Sequence, residues 1–142
     1  MDNLNFFTAQ IDKWTQANVA DAAAGQVPRK VVVQALYKLV NYSPVDTGYL
    51  RKNWLVTAGA PAMRRIGVYS KTRQHPEWQG ASVPLSTITG KVPTQAAFPR
   101  GEIVYISNSA KHAAHANNGT STFQGNPYQM LERTKNDLET NL

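Results

Sequence analysis

The sequence NYSPVDTGYLRKNW, residues 41 to 54, marks the point where a helical pattern gives way to an extended one. Pro44 ends the preceding helix, because the residue before a proline is disfavoured in the α region. Asp46 is placed to accept hydrogen bonds from nearby backbone N–H groups, and Gly48 can take a positive φ, so the segment predicts a tight turn. Leucine and tryptophan after the turn are expected to enter the core. The predicted turn motif comprises Pro44, Asp46, Thr47, Gly48, Leu50 and Trp54.

Upstream of the turn motif, the apolar residues recur at helical spacing. Residues 3 to 24 are predicted to form a first helix, and RKVVVQALYKLVNY, residues 29 to 42, a second one. The β-branched run Val31 to Val33 also fits a strand, but the spacing beyond it favours a helix. The stripe of the first helix is Leu4, Phe7, Ile11 and Trp14, and that of the second is Val32, Ala35, Leu36, Leu39 and Val40.

Downstream of the turn motif, alternating patterns predict strands. They are NWLVTAG at 53 to 59, RRIGVYS at 64 to 70 and EIVYISNS at 102 to 109, with LSTIT at 85 to 89 as a possible short addition. Residues 58 to 63 are predicted to turn the first strand back on the second as a hairpin. The last segment, residues 126 to 142, is predicted to be a helix with Asn126 as its cap and Pro127 in its first turn.

These elements predict one α+β domain spanning residues 1 to 142. It has two N-terminal helices, a twisted antiparallel sheet of about four strands with a long inserted loop, and a C-terminal helix. The loop runs from 71 to 100 and holds four prolines. Its length is well above that of an ordinary connection. Because ordering it is costly, we expect it to be mobile in the free protein and to fold against a neighbouring subunit.

The composition points to an anionic partner. The net charge is +6, and residues 47 to 76 hold six Lys and Arg residues but no Asp or Glu. Such an imbalance favours nucleic acid or an acidic protein surface, although an ordinary solvated face is the alternative. The chain has no Cys, no apolar run of membrane-spanning length and no signal-peptide pattern. We therefore expect a soluble protein made in the cytosol.

No catalytic or metal site of defined spacing is predicted. The tripeptide Asp46-Thr47-Gly48 resembles that of aspartic proteases, but their chemistry needs a second carboxylate sharing a proton. His112 and His115 can lie on one helix face, yet no acid lies between Glu102 and Glu132 and Cys is absent. Neither a nucleophile elbow nor a phosphate-binding glycine loop is present. We therefore predict no enzyme activity and no cofactor.

Two passages together resemble a known family. SPVDTGYLRKNW, residues 43 to 54, resembles the Thr/Ser-Pro-Val-Asp-Thr-Gly-x-Leu-Arg-x-x-Trp signature of the neck and tail-completion proteins of tailed bacteriophages. That group includes head–tail joining proteins and those similar to minor tail protein Z. VYISNSAKHAAHANNGT, residues 104 to 120, resembles the later strand-Asn-x-x-x-Tyr-Ala-x-x-x-Glu-x-Gly-Thr segment of the family. His112 stands where Tyr is common, and Asn117 where Glu is common.

The resemblance implies a non-enzymatic virion component, assembled in the host cytoplasm. It would form a homo-oligomeric ring, a hexamer or another ring size, at the neck, between the head connector and the tail terminator or tube proteins. The basic stretch is expected to contact either acidic groups on a neighbouring ring or the DNA in the lumen, and contact with a membrane is not expected. The alternative is a basic nucleic-acid-binding module. The predicted interface residues are Tyr49, Arg51, Lys52, Arg64, Arg65, Arg73, Trp78 and Phe98. Tyr49, Arg51 and Lys52 are expected at the margin of the turn, where a neighbouring subunit could contact them.

Overall fold

The computed structural model describes residues 8–10, 27–44, 48–62, 64, 74–99, 101–110 and 129–141. Across these residues the fold is α+β, as predicted. The strands are β1 (Thr8–Gln10), β2 (Trp54–Ala58) and β3 (Val104–Asn108). The helices are α1 (Arg29–Tyr42), α2 (Tyr49–Lys52), α3 (Leu85–Thr89) and α4 (Met130–Asn141). Two single 3-10 turns, Pro76–Trp78 and Gln95–Ala97, complete the order.

The described strands form one antiparallel sheet in the order β1-β3-β2. Thr8 pairs with Ser107, and Trp54 pairs with Asn108, so β3 is central and its neighbours come from distant parts of the sequence. Among the described residues the sheet has three strands and not the predicted four. Of the strand predicted at 64 to 70, the structure describes only Arg64, which is not in a strand, and the other residues lie outside its described part.

The helix predicted over residues 3 to 24 is wrong at Thr8–Gln10, which form β1 instead. Pairing with β3 gives these three residues backbone hydrogen bonds that override the local helical periodicity. The other residues of that predicted helix lie outside the described part of the chain.

Helix α1 has the predicted range and buries the predicted face. Val32, Ala35, Leu36, Leu39 and Val40 are all fully buried. The β-branched run at its start is helical, since Val31 and Val32 both donate backbone hydrogen bonds to the Pro28 carbonyl. The helix ends at Tyr42, and Ser43 is extended with ψ 142°. Pro44 therefore ends the helix as predicted.

Helix α4 packs against α1 and joins it through polar side chains at the edge of their contact. The Tyr42 hydroxyl donates to Asp137, and the Lys38 ammonium lies 3.6 Å from the same carboxylate. The Arg133 guanidinium lies 3.8 Å from the centre of the Tyr42 ring. The hydrogen bond to Asp137 raises the pKa of Tyr42, with burial as a further cause. The buried face of α4 carries Met130, Thr134 and Leu138. The predicted cap residues 126 and 127 lie outside the described residues.

The segment LSTIT is a helix, α3, and not the strand that the sequence suggested. Thr87 and Ile88 both donate backbone hydrogen bonds to the Pro84 carbonyl, which closes the first turn. The turn buries Ile88 completely and leaves Leu85 47% exposed. One apolar contact with the core thus organises the segment, whereas a strand would need a neighbour to accept its backbone hydrogen bonds.

The described part of the long loop, residues 74–99, packs into the chain's own core. Its buried residues are Trp78, Val83, Ile88, Val92 and Phe98. They join the same hydrophobic cluster as α1. This differs from the predicted mobile loop that needs a neighbouring subunit to cover Trp78 and Phe98. The apolar residues that made a solvated loop implausible are buried in the core cluster of the same chain.

Arg29, at the start of α1, holds the C-terminal half of this loop. Its guanidinium donates to the carbonyls of Pro93 (2.7 Å), Val92 (3.0 Å) and Thr89 (3.1 Å). Gln95 completes the connection, since its amide oxygen accepts from the Arg29 backbone N–H at 2.7 Å and its amide nitrogen donates to the Val27 carbonyl. A cation is normally disfavoured at a helix N-terminus. Here the hydrogen bonds from Arg29 to the loop carbonyls offset this unfavourable interaction with the helix dipole.

We expect Arg29→Ala to lower the free energy of unfolding by about 1–3 kcal/mol, because three half-buried carbonyls lose their donor. Urea denaturation measures the effect, and amide hydrogen exchange should show faster opening of residues 85 to 97 than of β3. Lys30→Ala is the matched control, because Lys30 is the next residue and is exposed. Equal stabilities of the two variants would contradict the role of the Arg29 contacts.

Candidate functional site

The turn motif ties the end of α1 to the start of β2. The Ser43 hydroxyl donates to the Leu39 carbonyl at 2.7 Å, and the Trp54 indole N–H donates to the Ser43 hydroxyl at 2.8 Å. Trp54 has no exposed surface and Leu50 is buried beside it. Both residues therefore enter the core, as predicted. Without the Ser43 hydroxyl, the Trp54 indole N–H would be a buried donor with no acceptor.

Gly48 lies at the closest approach between the turn motif and the long loop. Its φ is 90°, as predicted for this glycine, and it precedes α2. A Cβ at this position would lie 2.7 Å from the His75 carbonyl oxygen and 3.0 Å from the Trp78 Cβ. The absence of a side chain is therefore what allows the loop to pack here. Asp46 and Thr47 lie outside the described residues.

Arg51 is buried at the centre of this junction, with 3% of its surface exposed. Its guanidinium donates to the Ser43 carbonyl at 3.1 Å, to the Gly80 carbonyl at 2.8 Å and to the Trp78 carbonyl at 3.3 Å. Burial lowers the pKa of Arg51 from its usual value. The side chain thus connects the end of α1 with two carbonyls of the long loop.

Two asparagines connect α2 to the sheet. The Asn53 amide donates to the Tyr49 carbonyl at 2.8 Å, and the Asn108 amide donates to the Leu50 carbonyl at 2.8 Å. The oxygen of Asn108 accepts from the Ala110 backbone N–H. Both asparagines are buried. The buried polar side chains around the turn motif thus bind backbone groups of the fold, which is a structural use of these residues.

The structure divides the predicted interface residues into two sets. Tyr49, Arg51, Trp78 and Phe98 are buried within the chain. They offer no surface to a partner in this conformation, and the expectation that Tyr49 and Arg51 lie at the margin of the turn is corrected. Lys52 is half-buried and Arg64 is exposed. Arg65 and Arg73 lie outside the described residues.

Lys91, which is not among the predicted interface residues, lies beside Lys52. Its ammonium donates to the carbonyl of Lys52 and lies 5.0 Å from the centre of the Trp78 ring. Burial, together with the positive charges of Lys52 and Arg64, lowers the pKa of Lys91 to about 8. We refer to Lys52, Arg64 and Lys91 as the cationic cluster. It brings together α2, the segment after β2 and the long loop.

The sequence contains no local signal for this cluster. Lys91 is an isolated lysine in the Pro-rich loop, thirty-nine positions from Lys52. Only the folding of the loop against α1 and α2 brings the two together. Arg29 offers a weak signal, since a cation in the first turn of a helix opposes the helix dipole and suggests an acceptor elsewhere.

The cationic cluster gives a prediction for the pH dependence of stability. Lys91 has a pKa of about 8 in the folded protein and an ordinary value of 10.5. Between these values the unfolded chain binds more protons, so the free energy of unfolding rises with pH. We expect the stability of the wild type, relative to Lys91→Gln, to increase from about pH 8 to about pH 10.5. Denaturant melts across this range, with Lys30→Gln as the control, measure it. A stability difference between the wild type and Lys91→Gln that stays constant or falls as the pH rises would contradict the lowered pKa of Lys91.

The described residues contain no other arrangement that suggests chemistry. No group of three or more His, Asp or Glu residues that could hold a metal ion occurs among them. His112 and His115 lie outside this part of the chain. Within the same described ranges, no helix has both the length and the apolar character needed to cross a membrane.

Comparison of the chain with protein-family models, with curated proteins and with solved structures gives no match. A proposal of function therefore depends on the turn motif, on the residues that it positions and on the cationic cluster.

Proposed function

We propose that the chain is a structural ring protein of the neck of a tailed bacteriophage, where it joins the head connector to the tail. The observation that carries the proposal is the resemblance of residues 43 to 54 to the neck-protein signature, together with what these residues do in the fold. Ser43, Leu50, Arg51 and Trp54 are all buried and hold helix, sheet and loop together. A signature of this kind specifies an architecture.

A ring requires a heterologous contact, in which one face of a subunit meets a different face of the next. The cationic cluster offers one side of such a contact, because Arg64 is exposed and Lys52 half-buried. The opposite side must then present acidic groups. Glu132 is exposed on α4, and Glu77 is exposed in the long loop. Charges of both signs are thus available on separate elements of one chain.

The experiment is assembly of the purified protein, followed by light scattering and negative-stain electron microscopy, with and without head connectors. We expect rings, and we expect Arg64→Glu to prevent their formation or their attachment to connectors while the monomer still folds. Lys30→Glu has the same charge change at another exposed position and is the control. A wild-type protein that stays monomeric with connectors present would refute the proposal.

In infected cells, the same Arg64→Glu change should leave filled heads and finished tails that are not joined. Complementation with the wild-type chain should restore infectious particles. Normal particle yields from the variant, with normal yields from the Lys30→Glu control, would show that Arg64 is not part of the contact.

The second candidate is a nucleic-acid-binding module, which the net charge of +6 and the cationic cluster favour. The two functions differ in their response to salt, since binding to a phosphate backbone weakens steeply with salt concentration and the slope counts the phosphates contacted. Light scattering distinguishes them as well, because a nucleic-acid module does not need a ring.

A further inference from the structure

We propose that two copies of the chain pair through the outer surface of residues 80 to 97, with each copy presenting the same surface to the other. We refer to the exposed side of residues 80 to 97 as the uncharged face. A contact between two identical surfaces has a twofold axis and closes at two copies, so it does not build a ring. The inference therefore goes beyond the proposed joining function and stands without it.

Residues 80 to 97 run along the length of α1 in the opposite direction. Beside the last turn of α1, the Asn41 side chain accepts from the Val83 backbone N–H at 2.6 Å and donates to the Val83 carbonyl at 3.4 Å. At the start of the helix, Arg29 donates to three carbonyls of the segment. Polar side chains at both ends of α1 thus fix the backbone of the segment. A surface that is ordered before binding loses little conformational entropy when it binds.

The exposed residues between 80 and 97 are all uncharged. Lys91 is the only charged residue of the segment. Its ammonium donates to the Lys52 carbonyl and lies 5.0 Å from the centre of the buried Trp78 ring, so its charge is directed towards the chain's own fold. Elsewhere on the chain, charged residues such as Arg64 are exposed. The outer surface of the segment therefore differs in charge from the rest of a basic protein.

A second copy of the chain is the partner whose chemistry fits the uncharged face. Two chains of net charge +6 repel each other, and a contact at the uncharged face adds no pair of like charges to that repulsion. Nucleic acid is held through cations on its phosphates, and this face presents none. Depletion of charged residues is the compositional mark of the core of a protein–protein interface. The face thus fits a surface of its own kind, which a second copy supplies.

Leu85, at the start of α3, provides the apolar contact of the uncharged face. It is 47% exposed and is the large hydrophobic side chain that the described part of the chain leaves exposed. Hydrogen bonds from the Thr87 and Ile88 N–H groups to the Pro84 carbonyl close the turn that carries it. A twofold axis beside α3 brings the two Leu85 side chains together and removes their apolar surface from water.

The uncharged face is smaller than the interface of a stable complex. Such interfaces take about 800 Å² and roughly 20–30 residues from each partner. Residues 80 to 97 supply fewer, because Val83, Ile88 and Val92 are buried in the core of their own chain. Pairing is therefore weak and depends on protein concentration, with a dissociation constant on the order of micromolar.

The experiment is sedimentation velocity of the full chain at concentrations that span the micromolar range. We expect the fraction of dimer to rise with concentration. Leu85→Glu should raise the dissociation constant of the dimer about tenfold or more, because it places two like charges in the contact. Asn136→Glu adds the same charge at an exposed position on α4 and should dimerise as the wild type does. A wild type that is monomeric throughout, or equal dimerisation of the two variants, overturns the inference.

Ser86→Glu keeps this test informative if Leu85→Glu unfolds. Ser86 is exposed beside Leu85, so the added carboxylate enters the contact without removing an apolar side chain. Circular dichroism and a denaturant melt report whether each variant is folded. A folded Ser86→Glu variant should lose the dimer, and a folded variant that keeps wild-type dimerisation contradicts the pairing.

Cysteine crosslinking tests the twofold symmetry of the contact. The chain has no Cys, so Ser86→Cys introduces a single thiol on the uncharged face. Near a twofold axis the two thiols lie close together, and a short thiol-specific crosslinker should give covalent dimers faster than it does with Asn136→Cys. Adding Leu85→Glu to Ser86→Cys should remove this advantage. Equal rates for Ser86→Cys and Asn136→Cys would mean random collision and overturn the inference.

The variants Leu85→Glu and Arg64→Glu separate the dimer from the proposed ring. Loss of the dimer in Leu85→Glu, with ring formation unchanged, supports the pairing as a separate contact. A wild type that dimerises but forms no ring with connectors leaves the pairing standing and refutes the joining function. Loss of rings in Leu85→Glu, with no dimer in the wild type, would assign the face to the ring contact and overturn the pairing.

Discussion

Replacing Arg51 by alanine is expected to lower the free energy of unfolding by about 3–5 kcal/mol. The substitution removes a long buried side chain and leaves the carbonyls of Ser43, Trp78 and Gly80 without their donor. A fully buried acceptor without a partner costs about 1–3 kcal/mol. The three costs do not add in full, because the Gly80 contact is only part-buried, and the cavity contributes as well. Chemical denaturation, followed by tryptophan fluorescence, measures the change.

Two further substitutions at Arg51 separate the contribution of the hydrogen bonds from those of side-chain volume and charge. Arg51→Met keeps most of the volume and removes the hydrogen bonds, whereas Arg51→Lys keeps the charge and has a single terminal nitrogen to reach three carbonyls. We expect both variants to lie between the wild type and Arg51→Ala. The neighbouring half-buried residue provides the control, and Lys52→Ala should change stability by less than about 1 kcal/mol. Wild-type stability in Arg51→Met would mean that the hydrogen bonds contribute nothing, which contradicts their proposed role.

Much of the fold can be predicted from the spacing of apolar residues and from the residues that end helices. The apolar stripe of α1 and its end before Pro44 predict Arg29–Tyr42 with the face that is buried. The alternating patterns predict β2 and β3, and the helix predicted near the end of the sequence is present as α4. These elements are long enough for their local pattern to agree with their burial, so the local and tertiary preferences coincide.

The elements that were predicted wrongly are those whose conformation depends on distant partners. Thr8–Gln10 lies in a stretch with helical periodicity, but pairing with Tyr105 to Ser107 makes it a strand. Leu85–Thr89 is rich in β-branched residues, yet it forms a helical turn that buries Ile88. In short segments the local preference is weak, and one tertiary contact is enough to decide the conformation.

The candidate site could be predicted only in part, for the same physical reason. Gly48 and Trp54 were identified because a turn and a large aromatic residue leave local signals. Arg51 was expected at the surface, since a charged residue is seldom buried unless it is paired. Its acceptors at Trp78 and Gly80 lie in the long loop, 27 and 29 positions away. Lys91 likewise acquires its neighbours only when that loop is folded.

Replacing Gly48 by alanine is the second substitution with a large expected effect, and the chain supplies a matched control. Gly48 and Gly101 have nearly the same conformation, with φ of 90° and 85°. At Gly48 a Cβ would meet the His75 carbonyl oxygen at 2.7 Å, whereas at Gly101 it would meet no heavy atom of the described chain within 4 Å. The two positions thus share the cost of a positive φ and differ in the clash.

We expect Gly101→Ala to cost about 1–2 kcal/mol, the strain of a left-handed alanine. Gly48→Ala should cost about 3–5 kcal/mol, because the clash with a backbone atom adds to that strain and moves the loop away from α2. Thermal or urea unfolding measures both variants. Hydrogen exchange should show faster opening of residues 75 to 80 in Gly48→Ala alone, since Arg51 would lose its loop acceptors as the loop moves. Equal costs for the two variants would mean that the loop does not pack against the turn motif as described, and the role assigned to Arg51 would fail with it.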